Sequence, residues 1–263
     1  MGECDLLLLS TPQTTGADQK NNLQVHVRTT IKQDFSYISG IAAKIGSHVL
    51  EVKENGSLWM NSDMVFSTKM TPEEQDETTK KVNDGLPFNV TQRYKGKQRK
   101  IVVYEIALQN GVKLVIRANL KNHMLFIGTG NGSMLPDGTM GLLGSPKKPG
   151  FFTRDGVEVK TGQDMNAYSE SWQVRPEIDP KLFMVSNRAP QFPSKCLYPE
   201  SETVQASLRR RKLMDGNNNA VPKISLEAAT EACKDMSEVK RNFCIEDTMH
   251  TGDLTLALDE FYH

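Results

Sequence analysis

The residues able to do chemistry here are few and widely spaced. The cysteines are Cys4, Cys196, Cys233 and Cys244. No Cys-x-x-Cys pair occurs, so the spacing writes neither a zinc cage nor a thioredoxin-type redox pair. Four cysteines in a chain of this length permit either disulfides or buried thiols. Cys233 and Cys244 flank a short polar stretch, Ser237 to Asn242, and a turn there would bring them together. Such a bridge would stabilise a small helical segment by roughly 2–4 kcal/mol. The alternative is two buried thiols, or pairing of either with Cys196. The histidines, His26, His48, His123, His250 and His263, have no metal-ligand spacing. Neither a Gly-x-Ser-x-Gly elbow nor a His-Glu-x-x-His pair occurs. Each histidine reads as a surface or satisfied core residue. The run Gly128-Thr-Gly130-Asn-Gly132 could cradle phosphate only if a helix began directly after it. Pro136, Asp137-Gly138 and Gly141 follow instead, so it reads as turns. No catalytic residue, cofactor or metal site is expected. Three triplets, at Asn55, Asn89 and Asn131, fit the N-glycosylation pattern, although two coincide with Asn-Gly turns. The basic run Arg209–Lys212 reads as a solvated linker or a processing site.

Composition narrows the classes further. The 263 residues carry 32 basic and 32 acidic side chains, so no net field favours nucleic acid or an anionic membrane. Aromatic content is only 7%, which argues against a base-stacking platform. No apolar run approaches the ~20 residues of a membrane helix, so no direct membrane insertion is expected. The Leu6–Leu9 run is too short for a signal peptide, and its flank is acidic where a signal is basic.

The elements that would position these groups are strands. Residues 3–10 read as a buried strand, and 10–21 as a polar surface loop. Leu23, Val25 and Val27 alternate with Gln24, His26 and Arg28, which predicts a half-buried strand with one wet face. Asp34–Val52 predicts two or three short strands, with Ile41, Ala43 and Ile45 on one face. Asn55-Gly56 and Asn110-Gly111 sit between alternating runs, and both central residues of such turns are expected at positive φ. Met70–Asp84 reads as an exposed loop or a solvated helix, Tyr94–Lys100 as a hairpin tip, and His123–Ile127 as a strand. Asn-Gly and Asp-Gly pairs between short apolar runs across 50–160 predict an antiparallel all-β domain. After Val174, prolines at 176, 180, 190, 193 and 199 mark a connector, part of which lies along the β-domain through Leu182, Phe183 and Phe192. From Ser225, an N-cap, a helix is predicted over Leu226–Met236, then helical pieces over Phe243–Met249 and from Leu254 to Phe261.

One stretch organises the rest. Met140–Val174 has no helical period and holds Gly141-Leu142-Leu143-Gly144, the aromatics Phe151 and Phe152, an Asp155-Gly156 turn, and Asn166-Ala167-Tyr168-Ser169-Glu170-Ser171-Trp172-Gln173-Val174. This resembles the end of a von Willebrand factor type D domain, where a Gly-Leu-(Cys)-Gly turn leads through an Asp-Gly turn to an Asn-x-Phe-Gly-x-x-Trp-x-Val segment packed back on the sheet. The order GECDLLLL, LQVHVRTTI, SYISGIAAKIGSHVLEV and SLWMN is also similar to such modules, so the resemblance spans roughly residues 2–175. The tail around Ala-Cys233, Phe-Cys244 and Thr-Gly-Asp-Leu resembles the helical segment that follows them in some surface proteins.

The resemblance implies a secreted or cell-surface module, not an enzyme, that binds extracellular proteins or matrix. The rival reading is a secreted hydrolase. Calcium, which type D modules often bind after Gly-Leu-Cys-Gly, is not expected, because Ser145–Gly150 offers Lys147 and Lys148 in place of carboxylates. Leu143 stands where the family's cysteine pairs with the first-strand cysteine, which leaves Cys4 without its usual partner and Cys196 as the remaining candidate. The family's Gly-Asp-Pro-His start is absent, and the chain reads as a fragment or incomplete gene model lacking its export signal. The expected organisation is a β-domain over 1–175, a connector over 176–224 and a Cys-containing helical appendage over 225–263. Within the first, Phe151, Phe152, Asp155, Gly156 and Trp172 are expected to be structural.

Overall fold

The tightest local features are three hairpin loops of identical construction. In each, the residue before the loop exchanges backbone hydrogen bonds with the glycine that ends it and the residue beyond. Lys53 accepts from Gly56 at 2.8 Å and donates to Ser57 at 3.0 Å; Leu108 does the same with Gly111 and Val112, and Thr153 with Gly156 and Val157. Only the glycines take positive φ, at +76°, +87° and +83°. Asn55 and Asn110 do not, contrary to the expectation of two left-handed central residues. Instead, their Oδ1 atoms accept the N–H two residues on, from Ser57 at 3.0 Å and Val112 at 3.1 Å. The asparagine folds the loop through its side chain, and the glycine supplies the bulge that returns the chain to the strand.

The computed structural model describes residues 4–32, 35–95, 100–130, 132–144, 150–159, 165–185, 224–236, 241, 244–245, 247–249, 252 and 254. Its strands are β1 (Asp5–Ser10), β2 (Leu23–Lys32), β3 (Phe35–Ile45), β4 (His48–Lys53), β5 (Leu58–Met60), β6 (Asp63–Phe66), β7 (Phe88–Lys95), β8 (Ile101–Leu108), β9 (Lys113–Asn119) and β10 (Met124–Gly130), with a separate ribbon of β11 (Phe151–Phe152) and β12 (Glu158–Val159). The helices are α1 (Pro72–Asn83), α2 (Met165–Ser171) and α3 (Leu226–Ala232), and a 3₁₀ turn covers Gly16–Asn21.

The fold is mainly antiparallel β, as the turn pattern predicts. One ten-stranded sheet runs β6-β5-β4-β3-β10-β9-β8-β7, with β2 pairing both β1 and β3. β3 is its hub. The sequence pattern splits this region into short strands, yet β3 is a single strand of 11 residues, long enough to pair β4, β10 and β2. Val25, Ile41, Ile45, Leu50, Tyr104 and Ile116 are each at most 1% exposed and represent its core. Each such aliphatic side chain contributes about 1.5–3 kcal/mol by leaving water. Tyr104 keeps its phenol satisfied by donating to Gly56 O at 2.6 Å and accepting from Gln92 at 2.8 Å.

The charged stretch before β7 is the solvated helix α1. Its capping box pairs the Thr71 side chain with the Glu74 backbone N–H, and the Glu74 carboxylate with the Thr71 N–H. Asn83, at its last turn, then blunts the edge of β7, because its amide donates to Val90 O and accepts from Val90 N. The predicted tip Tyr94–Lys100 falls largely on residues 96–99, outside the described residues.

Contacts divide the chain into two compact units. The first comprises Met1–Ile31, Ser36–Arg93 and Val102–Tyr198, and the second Lys32–Phe35, Tyr94–Ile101 and Pro199–His263. In the first, part of the proline-marked connector does lie on the sheet: Leu182 and Phe183 are buried against Ala42 and Val49. Phe192 lies outside the described residues. In the second, Ser225 caps α3 by accepting the Ala228 N–H at 3.1 Å. This helix ends at Ala232 rather than Met236, because Cys233 leaves helical geometry at φ −97°, ψ 4°. Of the predicted piece Phe243–Met249, residues 244–245 and 247–249 are helical; residues 255–263 lie outside the described residues.

Candidate functional site

Strand β1 reads Asp5-Leu-Leu-Leu-Leu-Ser10, and Leu6 to Leu9 are all at most 5% exposed. A strand buried on both faces at the end of a sheet must also lose its bare edge. β2 pairs one side. The other is closed by two pieces of the Met140–Val174 stretch. Ser10 and Met140 exchange backbone hydrogen bonds, and Leu142 and Leu143 donate to Leu7 O and Leu8 O. Further along, Leu7 donates to Trp172 O at 2.8 Å and Val174 to Asp5 O at 2.9 Å. The chain packs so closely at the crossing that Gly141, at φ +139°, has no room for a side chain: a Cβ there would sit 2.3 Å from Leu8 O.

The two pieces of this clasp brace each other. Contrary to the reading that the stretch has no helical period, residues 165–171 form α2. Tyr168 and Trp172, four apart, turn one face inward against Leu7 and Leu142, and that tertiary burial sets a helix too short to announce itself by period. The Tyr168 hydroxyl donates to Leu142 O at 2.6 Å, and Trp172 Nε1 donates to Phe152 O at 3.1 Å. Trp172 is 3% exposed. Phe151 is exposed on its outer side and meets Tyr168 edge-on at 5.5 Å, while Phe152 is half-buried. Asp155 and Gly156 form the exposed turn of the β11–β12 ribbon.

Charges lie beneath the clasp. The expectation of a wet face on β2 fails: His26 and Arg28 are 1% and 3% exposed. Arg28 makes a two-pronged ion pair with Asp5, both distances 2.7 Å, and its guanidinium stacks 4.3 Å from the Phe183 ring. Arg154 likewise grips Asp179 at 2.8 and 2.6 Å. Burial pushes Asp179 up, but the hydrogen bond from Arg154 and the Arg175 N–H outweigh it and hold the carboxyl below its usual value. Burial is also the largest influence on His26, opposed by Asp179 and aided by Arg154, and lowers its pKa from 6.5 to about 4. Asp5, His26, Arg28 and Phe183 border a small cavity of about 10 Å³. Nearby, Glu51, 3% exposed, accepts from Met184 N and Val185 N, and Lys53 Nζ donates to Val185 O, which pins the connector to the sheet.

A larger pocket of about 370 Å³ opens between the pieces of the clasp, lined among others by Thr139, Met140, Phe152, Arg154 and Trp172. Its volume suits a small ligand. Its polar groups are committed elsewhere, however: Arg154 to Asp179, the Thr139 hydroxyl to Pro136 O and the Thr153 hydroxyl to the Val157 N–H. The walls offer shape and apolar surface rather than charge.

The cysteines resolve in part. Cys233 and Cys244 form a disulfide with Cα atoms 6.1 Å apart, packed with Met236 and Ile245. Cys4, whose pairing the sequence leaves open, is disulfide-bonded too. Cys196 lies outside the described residues. The acceptor Asn55 is exposed, but its Oδ1 is held by Ser57; Asn89 is exposed on β7; Asn131 lies outside the described residues, as do Ser145–Pro149 and Arg209–Lys212. Among the described residues no group of three or more His, Cys, Asp or Glu side chains could hold a metal ion.

Sequence reasoning missed Asp5–Arg28, Arg154–Asp179 and the neutral His26. Their partners are remote, and polar residues alternating in a strand look the same whether water or a second layer covers them. Compared with protein-family models and with curated proteins, the chain has no match to either.

Proposed function

We propose that this chain is an extracellular or cell-surface binding module of the von Willebrand type D kind, acting through sheet faces and loops on other proteins or matrix rather than by catalysis. The observation that carries the reading is the oxidation of its cysteines: Cys233–Cys244 is bridged, Cys4 is disulfide-bonded, and no described cysteine is free. Disulfides persist in oxidising compartments, outside the cytosol. The reading is further supported by the clasp. Gly141-Leu142-Leu143 and Trp172-Gln173-Val174, two of the pieces that carry the resemblance, close the same edge of β1. Asn89, exposed on β7, adds a glycan acceptor in the same compartment.

The test is to export the chain behind a heterologous signal peptide, map its cysteines by peptide mass with and without reductant, and measure its binding to immobilised matrix proteins. The expected result is both bridges intact and saturable binding with no turnover of ester, peptide or glycoside substrates. Free thiols at Cys4 or Cys233 in the native protein, or measurable hydrolysis, would overturn the reading.

A further inference from the structure

Arg117 sits in the middle of β9, whose alternate residues Lys113, Val115 and Arg117 face away from the core. The guanidinium is half-buried, and its Nε is enclosed with no hydrogen-bond partner. Among the described residues Arg117 makes no ion pair. Glu105, on the same side of the sheet as Lys113, is already shared: it pairs with Lys113 at 2.9 Å and with Arg93 at 3.7 Å. Arg93 is itself a like charge that opposes Arg117, so among the described residues Arg93, Lys113 and Arg117 set three cations against Glu105. An enclosed donor without an acceptor is destabilising, more so when charged.

On the neighbouring strand Phe126 stands opposite Arg117, and beyond it the face narrows to glycine. On β10, Gly128 stands opposite Val115 and Gly130 opposite Lys113. A Cβ at Gly128 would meet nothing within 4 Å. Glycine in a strand interior often marks a close approach by another backbone. The molecule already shows what completes such a guanidinium: Arg28 uses its Nε–Nη2 edge to hold the two oxygens of Asp5. In Arg117 it is the Nε of that edge that is enclosed without an acceptor.

We infer that the β9–β10 face around Arg117 docks an acidic polypeptide segment, with an Asp or Glu carboxylate taken bidentately by Arg117 and the segment lying along the glycine strip. A planar two-oxygen acceptor satisfies Nε and one Nη together, which a point anion does not. Charge complementarity selects the sign, and the missing side chains at Gly128 and Gly130 admit main chain. The inference deepens the binding-module reading by naming the class of partner.

The experiment titrates the full chain at low ionic strength with a short Gly-Glu repeat peptide, a Gly-Gln repeat of the same length and a sulfated oligosaccharide. The Gly-Glu peptide is expected to bind and to weaken as salt rises. Arg117→Met and Arg117→Lys should each weaken it about tenfold or more, since lysine keeps the charge and loses the fork. Gly128→Val, which occupies the strip, should weaken binding while keeping the melting temperature. Arg117→Met should melt no lower than the wild type, because it removes an unsatisfied buried donor. Four outcomes would each overturn the inference: equal affinity in the Arg117 variants, equal binding of the Gly-Gln peptide, binding of the sulfated oligosaccharide alone, or a melting temperature several degrees lower in Arg117→Met. Failure of the titration with intact disulfides removes the acidic partner and leaves the module reading standing. Free thiols do the reverse.

Discussion

Burial holds His26 neutral, with its pKa pushed down to about 4, and this gives the molecule a defined response to acid. A histidine whose folded pKa lies below its unfolded 6.5 takes up its proton more readily in the unfolded chain. Its contribution is therefore complete above about pH 6.5 and lost as pH falls toward 4, amounting to roughly 3 kcal/mol. Urea midpoints measured across this window should fall with acid, and His26→Gln should flatten the slope; an equal slope in the variant would place the acid response elsewhere. Gly141 makes a sharper case. Alanine there meets backbone on two counts, a left-handed φ and a Cβ 2.3 Å from Leu8 O, so Gly141→Ala should cost about 3 kcal/mol or more. Gly156→Ala is the control: its φ is +83° in open space, so only the conformational cost of about 1–2 kcal/mol applies. Thermal melts of the two variants should separate them by several degrees, and similar melts would mean that the crossing at Leu8 relaxes. Trp172→Ala removes the buried ring that joins α2 to β1 and should cost about 3–5 kcal/mol by the same measurement.

The elements that could be read from the sequence are those whose cause is local. The Asn55-Gly56, Asn110-Gly111 and Asp155-Gly156 turns and the start of α3 at Ser225 each depend on residues within a few positions; Met70–Asp84, open in the sequence between loop and solvated helix, is decided by the equally local Thr71 cap of α1. The errors arise where the cause is distant. The face of β2 carrying His26 and Arg28 looks wet in the sequence and is dry because Asp5, Asp179 and Phe183 arrive from far along the chain. Helix α2 forms because Tyr168 and Trp172 find Leu7, a contact no window of neighbouring residues contains. The Cys233–Cys244 bridge was one of several pairings left open; geometry settles it. Closing this short loop stabilises by about 3 kcal/mol in the chain-entropy account. Reduction should therefore speed amide exchange across α3, Ala229 and Cys233 included, while leaving the β8 and β9 amides protected. Exchange rates that do not change on reduction would show that apolar packing alone holds the segment.

At the scale of the whole molecule, the candidate site was legible as a set of motifs in order and illegible as an arrangement. Gly141-Leu142-Leu143-Gly144 and Trp172 stand out as residues, but nothing in their spacing says that both close on β1. That closure has a consequence during synthesis. β1 leaves the ribosome well before the residues that seal its outer edge, Trp172 to Val174. At about 5–20 residues per second the four-leucine edge waits on the order of 10–30 s for its cover. For that interval it is a short, uncharged, strand-forming run with an unpaired side, the kind of segment that seeds aggregation. A chain truncated before α2 should therefore aggregate where the full chain stays soluble.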